Sequence, residues 1–492
     1  MKGNMKAPRT LAVAFTLLAW VGIASAQDPL SSKWTKLTHQ PTVNTDTALL
    51  LTDGTVMMHE YDSANWWRLT PDITGSYLNG TWSALAPMQR GYAPLYFASA
   101  VLADGRVLVE GGEYNNGNQV ETNLGAIYDP TTNVWTPVTA PSGWRTIGDS
   151  PAVVLPDGTF MMGQGGQPSK LQVNFDATTL TWSAIGTGKA DGFSEEGFVL
   201  LPDGSVLTVD CEDGTNSEIY DPTTTTWSIA GSTIVPLPND GGMGIVPEMG
   251  PLLQRPDGSV VAFGATTNTS IYSTSSGKWT KGPTFPNSDD MADAPATILP
   301  DGNILVYTSP GVFQNGANFY EFTYPGNTFV AAPSTAKSAK LTSFVGRQLL
   351  LPTGEVMWLA ASQPAVIDVE LYESKGTINP AWRPTITSVP STLTRGDSYT
   401  ISGTQFNGLS AGTTYGDDAQ MATSYPIVRI TNTATKHVFY ARTHDHSTMG
   451  IATGSAIVST TFDVPAAAET GASMIVVVAN GIPSKAVKVT LQ

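Results

Sequence analysis

The chain has 492 residues, of which 41% are hydrophobic and only 13% charged, with 48 glycines and 34 prolines. That length exceeds one ordinary core, and a turn-rich, charge-poor composition excludes a helix bundle and points to an all-β protein. A formal net charge of −16 argues against phosphate-backbone binding and against anionic membrane surfaces, and it agrees with cations, neutral glycans or a basic partner.

Residues 1–26 read as a secretory signal peptide. Lys2, Lys6 and Arg9 form a basic start, Leu11 to Ile23 an apolar run, and Ala24-Ser25-Ala26 a small-residue cleavage site. The mature chain is expected to begin at Gln27 and to reside outside the cytoplasm, secreted or periplasmic. The run is short for a membrane span, and no later segment is apolar enough to cross a bilayer. Without those residues 22 basic and 41 acidic side chains remain, a formal charge of −19. Cys211 is the only cysteine, so no internal disulfide exists. Lying at the end of "SVLTVDCEDG" with no histidine nearby in sequence, it reads as a structural residue rather than a nucleophile.

From residue 49 one phrase recurs: "LLLTDGTVMM", "AVLADGRVLV", "VVLPDGTFMM", "VLLPDGSVLT", "LLQRPDGSVV", "TILPDGNILV" and "LLLPTGEVMW". Each reads as a strand, a two-residue turn (Asp-Gly in six copies, Thr-Gly in the last) and a second strand. The turns begin at Asp53, Asp104, Asp157, Asp203, Asp257, Asp301 and Thr353, spaced 44 to 54 residues apart. A second phrase follows most copies, as in "AIYDPTTNVWTPV" and "EIYDPTTTTWSIA": a strand, a polar turn and a strand carrying Trp. Four short strands per period cannot bury both faces of one sheet, whereas sheets stacked around an axis bury one another. The spacing predicts a seven-bladed kelch-type β-propeller over residues 27–383, with "KWTKL" at Lys33–Leu37 completing the last blade. Trp82, Trp135, Trp182, Trp227 and Trp279 occupy one repeat position and are expected to pack between blades. In Trp66-Trp67 one ring is expected to be exposed, a candidate for stacking on a sugar. His39 and His59 stand alone and read as structural or surface residues.

Residues 384–492 lose the repeat. "SYTISGTQFNG", "YPIVRITNT", "HVFYARTH", "STTFDVP", "SMIVVVANG" and "SKAVKVTLQ" predict an immunoglobulin-like β-sandwich. With "RGY…SAVLADGRVLVEGG", "YGDDAQMATSYPIVRIT" and "VVVANGIPS", this order resembles the galactose oxidase and glyoxal oxidase family, whose C-terminal domain is an early-set immunoglobulin-like fold. The resemblance implies one copper held by two tyrosines and two histidines, one tyrosine being cross-linked to a cysteine. It also implies that the propeller's ligands stand at the starts of innermost strands. Counted back from each turn, those positions here are Thr45, Tyr96, Asp149, Glu195, Met249, Asp293 and Val345. Tyr96 falls at the cross-linked tyrosine, but the cysteine's place holds Thr45. The last blade's Tyr-His pair is Phe344-Val345, and "YGDDAQMATSY" lacks the sandwich's histidine. Copper-radical oxidation is therefore not expected.

Acids replace the ligands. Asp149, Glu195 and Asp293 stand at counted positions, and Glu196 and Glu248 lie one residue away. The resemblance implies a sandwich hairpin entering the propeller channel, which would bring Asp417, Asp418 and Gln420 to the same axis. Convergent carboxylates suit Ca2+ or another divalent cation, or sugar hydroxyls, and a pair at suitable separation suits acid–base work on a glycosidic bond. A hydrated acidic funnel of no specific use is the plainest alternative. His444 and His446, alternate residues in "RTHDHSTMG", form a second candidate metal site. The expected function is binding of a glycan or envelope polymer at an acidic axial mouth, with or without a cation. Two alternatives stay open: a carbohydrate- or aldehyde-active enzyme (an oxidase with a redesigned metal site, or a carboxylate-based hydrolase or lyase), and a kelch-type protein-interaction scaffold.

Overall fold

The computed structural model describes residues 32–166, 169–361 and 366–492. The expected signal peptide lies outside the described residues. Among them there is no α-helix, only short 3-10 turns, and no helix long and apolar enough to cross a membrane.

Strand pairing yields seven blades. Six are four-stranded antiparallel sheets and the sixth in chain order has a fifth strand. Blade one runs from Thr45–Leu50 at the axis through Val56–Glu60 and Trp66–Thr70 to Thr81–Ala84 at the rim. The last blade takes its rim strand from the other end of the propeller: Lys33–Lys36 pairs antiparallel with Val369–Glu373. The innermost strands touch in ring order and close the wheel between Thr45–Leu50 and Gly346–Leu350. The core consequently lies between sheets. Ala48, Leu50, Phe97, Val107 and Val109 are buried in one cluster shared by neighbouring blades.

The turn is one residue longer than the sequence suggests. Leu51 N–H donates to Thr55 O and Gly54 N–H to Leu51 O, so Thr52, Asp53 and Gly54 form a three-residue loop. The Asp53 carboxylate accepts the Thr55 N–H and hydroxyl, and Gly54 takes the left-handed conformation (φ +75°) that closes such a loop.

The repeated tryptophans stitch blades together. Trp82 Nε1–H donates to His39 O, Trp135 to Ala86 O, Trp182 to Thr139 O, Trp227 to Gln172 Oε1 and Trp279 to Ser217 Oγ. Trp135→Phe keeps an aromatic ring but orphans the Ala86 carbonyl. A loss of about 1–3 kcal/mol in denaturant unfolding is the expected result.

The C-terminal domain is a nine-stranded curled sheet beginning at Thr385–Ser388, with its own core around Ile401, Val428, Phe462 and Val477. It docks on the Asp-Gly turn end of the propeller, where Arg442 Nη2 donates to Asp104 O and a Cβ on Gly54 would lie 2.5 Å from the Tyr440 ring. From this domain residues 405–425 enter the channel. Thr413–Thr414 pairs with Ala296–Ile298 as the extra strand of blade six, and the Tyr425 hydroxyl donates to Leu50 O.

Candidate functional site: an axial carboxylate pocket

The inner strands start at the end of the wheel opposite the sandwich. There they surround a cavity of about 320 Å³ lined by Tyr96, Glu113, Tyr114, Asp149, Glu195, Ile245, Glu248, Asp293, Phe313, Phe344, Tyr415, Asp417 and Asp418. Asp149, Glu195 and Asp293 are brought together from blades three, four and six, and Asp417 and Asp418 arrive on the inserted hairpin. Glu248, Asp417 and Asp418 are buried at 6%, 2% and 3% exposure.

The backbone aims these groups. Tyr96, Glu195 and Asp293, at one repeat position in three blades, have φ of +52°, +59° and +44°. Left-handed backbone is costly for residues with a Cβ, on the order of 1 kcal/mol each, and persists only where surroundings enforce it. Glu113 N–H donates to Tyr96 O at 2.9 Å, and the Cys211 thiol donates to Glu195 O at 2.8 Å. Cys211 is thus the structural residue expected, and it fixes the turn that presents Glu195. The hairpin passes closely because two glycines allow it. A Cβ on Gly416 would lie 2.5 Å from Asp293 Oδ1, and one on Gly197 would lie 2.4 Å from Gly416 O.

Burial drives every carboxyl of the pocket above the ordinary range, and like charges add to it. Asp149 is raised by desolvation and then by Glu195 and Asp417, and Glu195 by desolvation and then by Asp417 and Glu248. Glu248 is pushed up to about 11 by desolvation and by Asp293, and Asp293 to about 7 by desolvation and by Asp418. Asp417 and Asp418 are raised from the same causes. Glu248 Oε2, Asp417 Oδ2 and Asp418 Oδ2 have no hydrogen-bond partner. The nearest cation is the buried Arg347, whose guanidinium lies 4.3 Å over the Tyr415 ring and 3.5 Å from Asp46 Oδ1. Rings form the rest of the wall: Tyr96 meets Tyr114 edge-on at 6.0 Å, and Phe313 meets Phe344 at 4.9 Å.

Four sequence candidates lie elsewhere. Glu196 turns away from Glu195, into a buried cluster where Lys189 Nζ is 2.9 Å from Glu196, 2.6 Å from Asp191, 3.6 Å from Asp210 and bonded to Glu218. Burial alone would lower the Lys189 pKa, but the carboxylates of Glu196 and Asp210 raise it, so that cluster carries its own cation. Gln420 faces a separate, mostly apolar cavity and donates to Asp417 O. His444 has both ring nitrogens against carboxylates, Asp445 at 2.8 Å and Asp463 at 3.1 Å. His446 is buried, bonded to Thr460 and stacked on Tyr425, and desolvation pushes it down to about 3. Neither histidine joins a group of three potential metal donors among the described residues. In blade five the counted residue Met249 is core, and its neighbour Glu248 reaches the pocket because Asn239 bridges to it across the connecting loop. Trp66 is buried and Trp67 is held to Glu60, neither at the mouth. His59 is fully buried beside Asp46. Sequence reasoning missed Glu113, Tyr114, Phe313, Arg347 and the Lys189 cluster. Only the regular position of connecting loops could have flagged Glu113 and Phe313.

No family model matches the chain, and no curated protein matches it. Among solved structures it is similar to a fungal alcohol oxidase of the AA5 family in complex with copper, with a TM-score of 0.53 and 15% identity, covering 94% of this chain and 100% of that one. It is also similar to YjhT, with a TM-score of 0.40 and 15% identity over 58% of this chain and 96% of that one. At such identity the oxidase likeness is one of fold: this chain has the galactose oxidase-like arrangement of propeller and sandwich.

Proposed function

We propose that the chain is an exported binding protein whose axial pocket takes a hard divalent cation and, through it, a hydroxyl-rich ligand of the glycan or envelope-polymer class. The observation that carries this reading is the set of buried, unpartnered carboxyl oxygens on Glu248, Asp417 and Asp418 in a cavity walled by aromatic rings. Buried charge needs a partner, and carboxylate oxygens select Ca2+, Mg2+ or Mn2+ over softer metals. Sugar hydroxyls complete the shell of such an ion, and the rings of Tyr96, Tyr114 and Phe313 offer apolar faces. A cavity of about 320 Å³ suits the end of a polymer rather than a long stretch of it.

The copper set implied by the fold family does not fit. Among the described residues no histidine or cysteine lines the cavity. Thr45 spends its hydroxyl on Ala360 O, Val345 is core, and Phe344 has no ligand atom. Chelator-stripped protein is expected to take up Ca2+ or Mn2+, to bind glycans on an array only when loaded, and to lose both properties when Asp149, Glu195 and Asp293 are changed together to Ala. Stoichiometric copper with a tyrosyl-radical spectrum, or failure to take up any hard cation, overturns the reading.

A scaffold reading rests on a different observation. Val120, Leu124, Leu171, Ile234 and Met243 are exposed on loops at the mouth end of the wheel. Partner binding that survives the triple substitution but fails on Ile234→Asp or Met243→Asp would select it.

A further inference from the structure

We infer that the axial pocket is a two-cation centre in which the Glu195 carboxylate bridges one divalent ion held by Asp149 and Asp417 and a second held by Glu248 and Asp293. This rests on the cation-binding reading above and specifies its stoichiometry and geometry.

Three observations lead to it. First, the donors fall into two triads. Asp149, Glu195 and Asp417 have carboxyl oxygens within 4.8 Å of one another, and so do Glu195, Glu248 and Asp293, yet the five do not form one such group. Oxygens bound at about 2.4 Å to a single Ca2+ lie no more than about 4.8 Å apart, so each triad fits one ion and the whole set does not. Glu195 belongs to both triads, and a carboxylate has two oxygens to give.

Second, the charge balance calls for more than one ion. Seven carboxyls line the cavity, and one guanidinium, Arg347, stands beside them. Fully ionised, one divalent ion would leave a charge of −4 and two would leave −2. Third, the molecule shows what a filled carboxylate cluster looks like. Asp191, Glu196, Asp210 and Glu218 also converge, but the Lys189 ammonium sits among them. Among the described residues no lysine pairs with the axial triads, and Asp417 and Glu248, one from each triad, are 2% and 6% exposed with Asp417 Oδ2 and Glu248 Oε2 lacking a hydrogen-bond partner. A centre of this charge and spacing takes a ligand with two adjacent oxygens, a vicinal diol or a carboxylate.

The test is titration of the chelator-stripped full chain with MnCl2, read by elemental analysis and by electron paramagnetic resonance. Two Mn2+ per chain with an exchange-coupled spectrum is the expected result. Asp149→Asn and Asp293→Asn should each leave one ion with an uncoupled six-line spectrum. Glu195→Gln should abolish the coupling and weaken uptake about tenfold or more. One Mn2+ per wild-type chain with an uncoupled spectrum overturns the two-ion centre while leaving cation-dependent binding intact. No uptake overturns both. The wild-type spectrum needs no variant, and equal melting temperatures in EDTA establish that the variants are folded.

Discussion

Lys189→Met lowers the stability of the protein by about 3–5 kcal/mol. The side chain is 1% exposed and is, among the described residues, the only cation paired with Glu196, Asp210 and Glu218, which are themselves buried. Removing one partner of a buried ionic cluster leaves the others uncompensated, which costs far more than the net worth of the pairs. Methionine retains the stem that packs near Phe193 and Trp227, so the loss isolates the charge. Denaturant unfolding of the single variant and of Lys189→Met combined with Glu196→Gln and Glu218→Gln checks it. The combined variant should recover much of the loss. A loss below about 1 kcal/mol in the single variant would mean that the ammonium is not what holds the cluster together.

The second large effect concerns Glu110, the acid in the phrase "VLVEGG". It lies in the second strand of blade two, fully buried, and neither carboxyl oxygen has a hydrogen-bond partner. Gly125 makes room for it, since a Cβ there would lie 2.1 Å from Glu110 Oε2. Desolvation raises the folded pKa well above 4.5. The raised value favours the protonated acid in the native state. The associated stability is fully present below the unfolded value and is lost as pH rises toward the folded one, by up to about 1.4 kcal/mol per pH unit. Glu110→Gln therefore matches the wild type near pH 4 and exceeds it near pH 7.5. Parallel unfolding curves for both proteins across that range check it, and equal pH slopes would show that Glu110 is ionised in the fold.

The wheel was legible because its signal repeats. Asp-Gly turns at six positions with a Thr-Gly at the seventh, and tryptophans at five, each serve the same local geometry, and the closing strand at Lys33–Lys36 follows from one strand left over. Counting back from the turns found Tyr96, Asp149, Glu195 and Asp293 because the inner strands are in register. The count failed at Met249, where a loop bridge shifts the chain by one residue, and Glu196 faces away because the left-handed turn at its neighbour Glu195 redirects the chain. The counter-charges were not legible. Lys189 and Glu218 lie 29 residues apart, and Arg347 approaches Tyr415 from another domain, contacts that no local pattern encodes. The histidine pair at 444 and 446 had the right spacing, but two carboxylates hold the His444 ring, and His446 is buried with Nδ1 on Thr460 and its ring on Tyr425.

The strand that the sandwich lends to blade six has a consequence for how the protein is made. Synthesis delivers the wheel first, with five of the seven pocket acids and with the inner edge of Ala296–Ile298 bare. Asp417 and Asp418 are translated only after Thr413–Thr414, the segment that covers that edge. Each acid triad is thus finished at a different time: Glu195, Glu248 and Asp293 with the ring, and Asp149, Glu195 and Asp417 only once the plug is seated. A chain stopped after the seventh blade would lack Asp417 and Asp418 and leave that strand edge open, so completion of the last domain both supplies the last pocket acids and covers the inner edge of blade six.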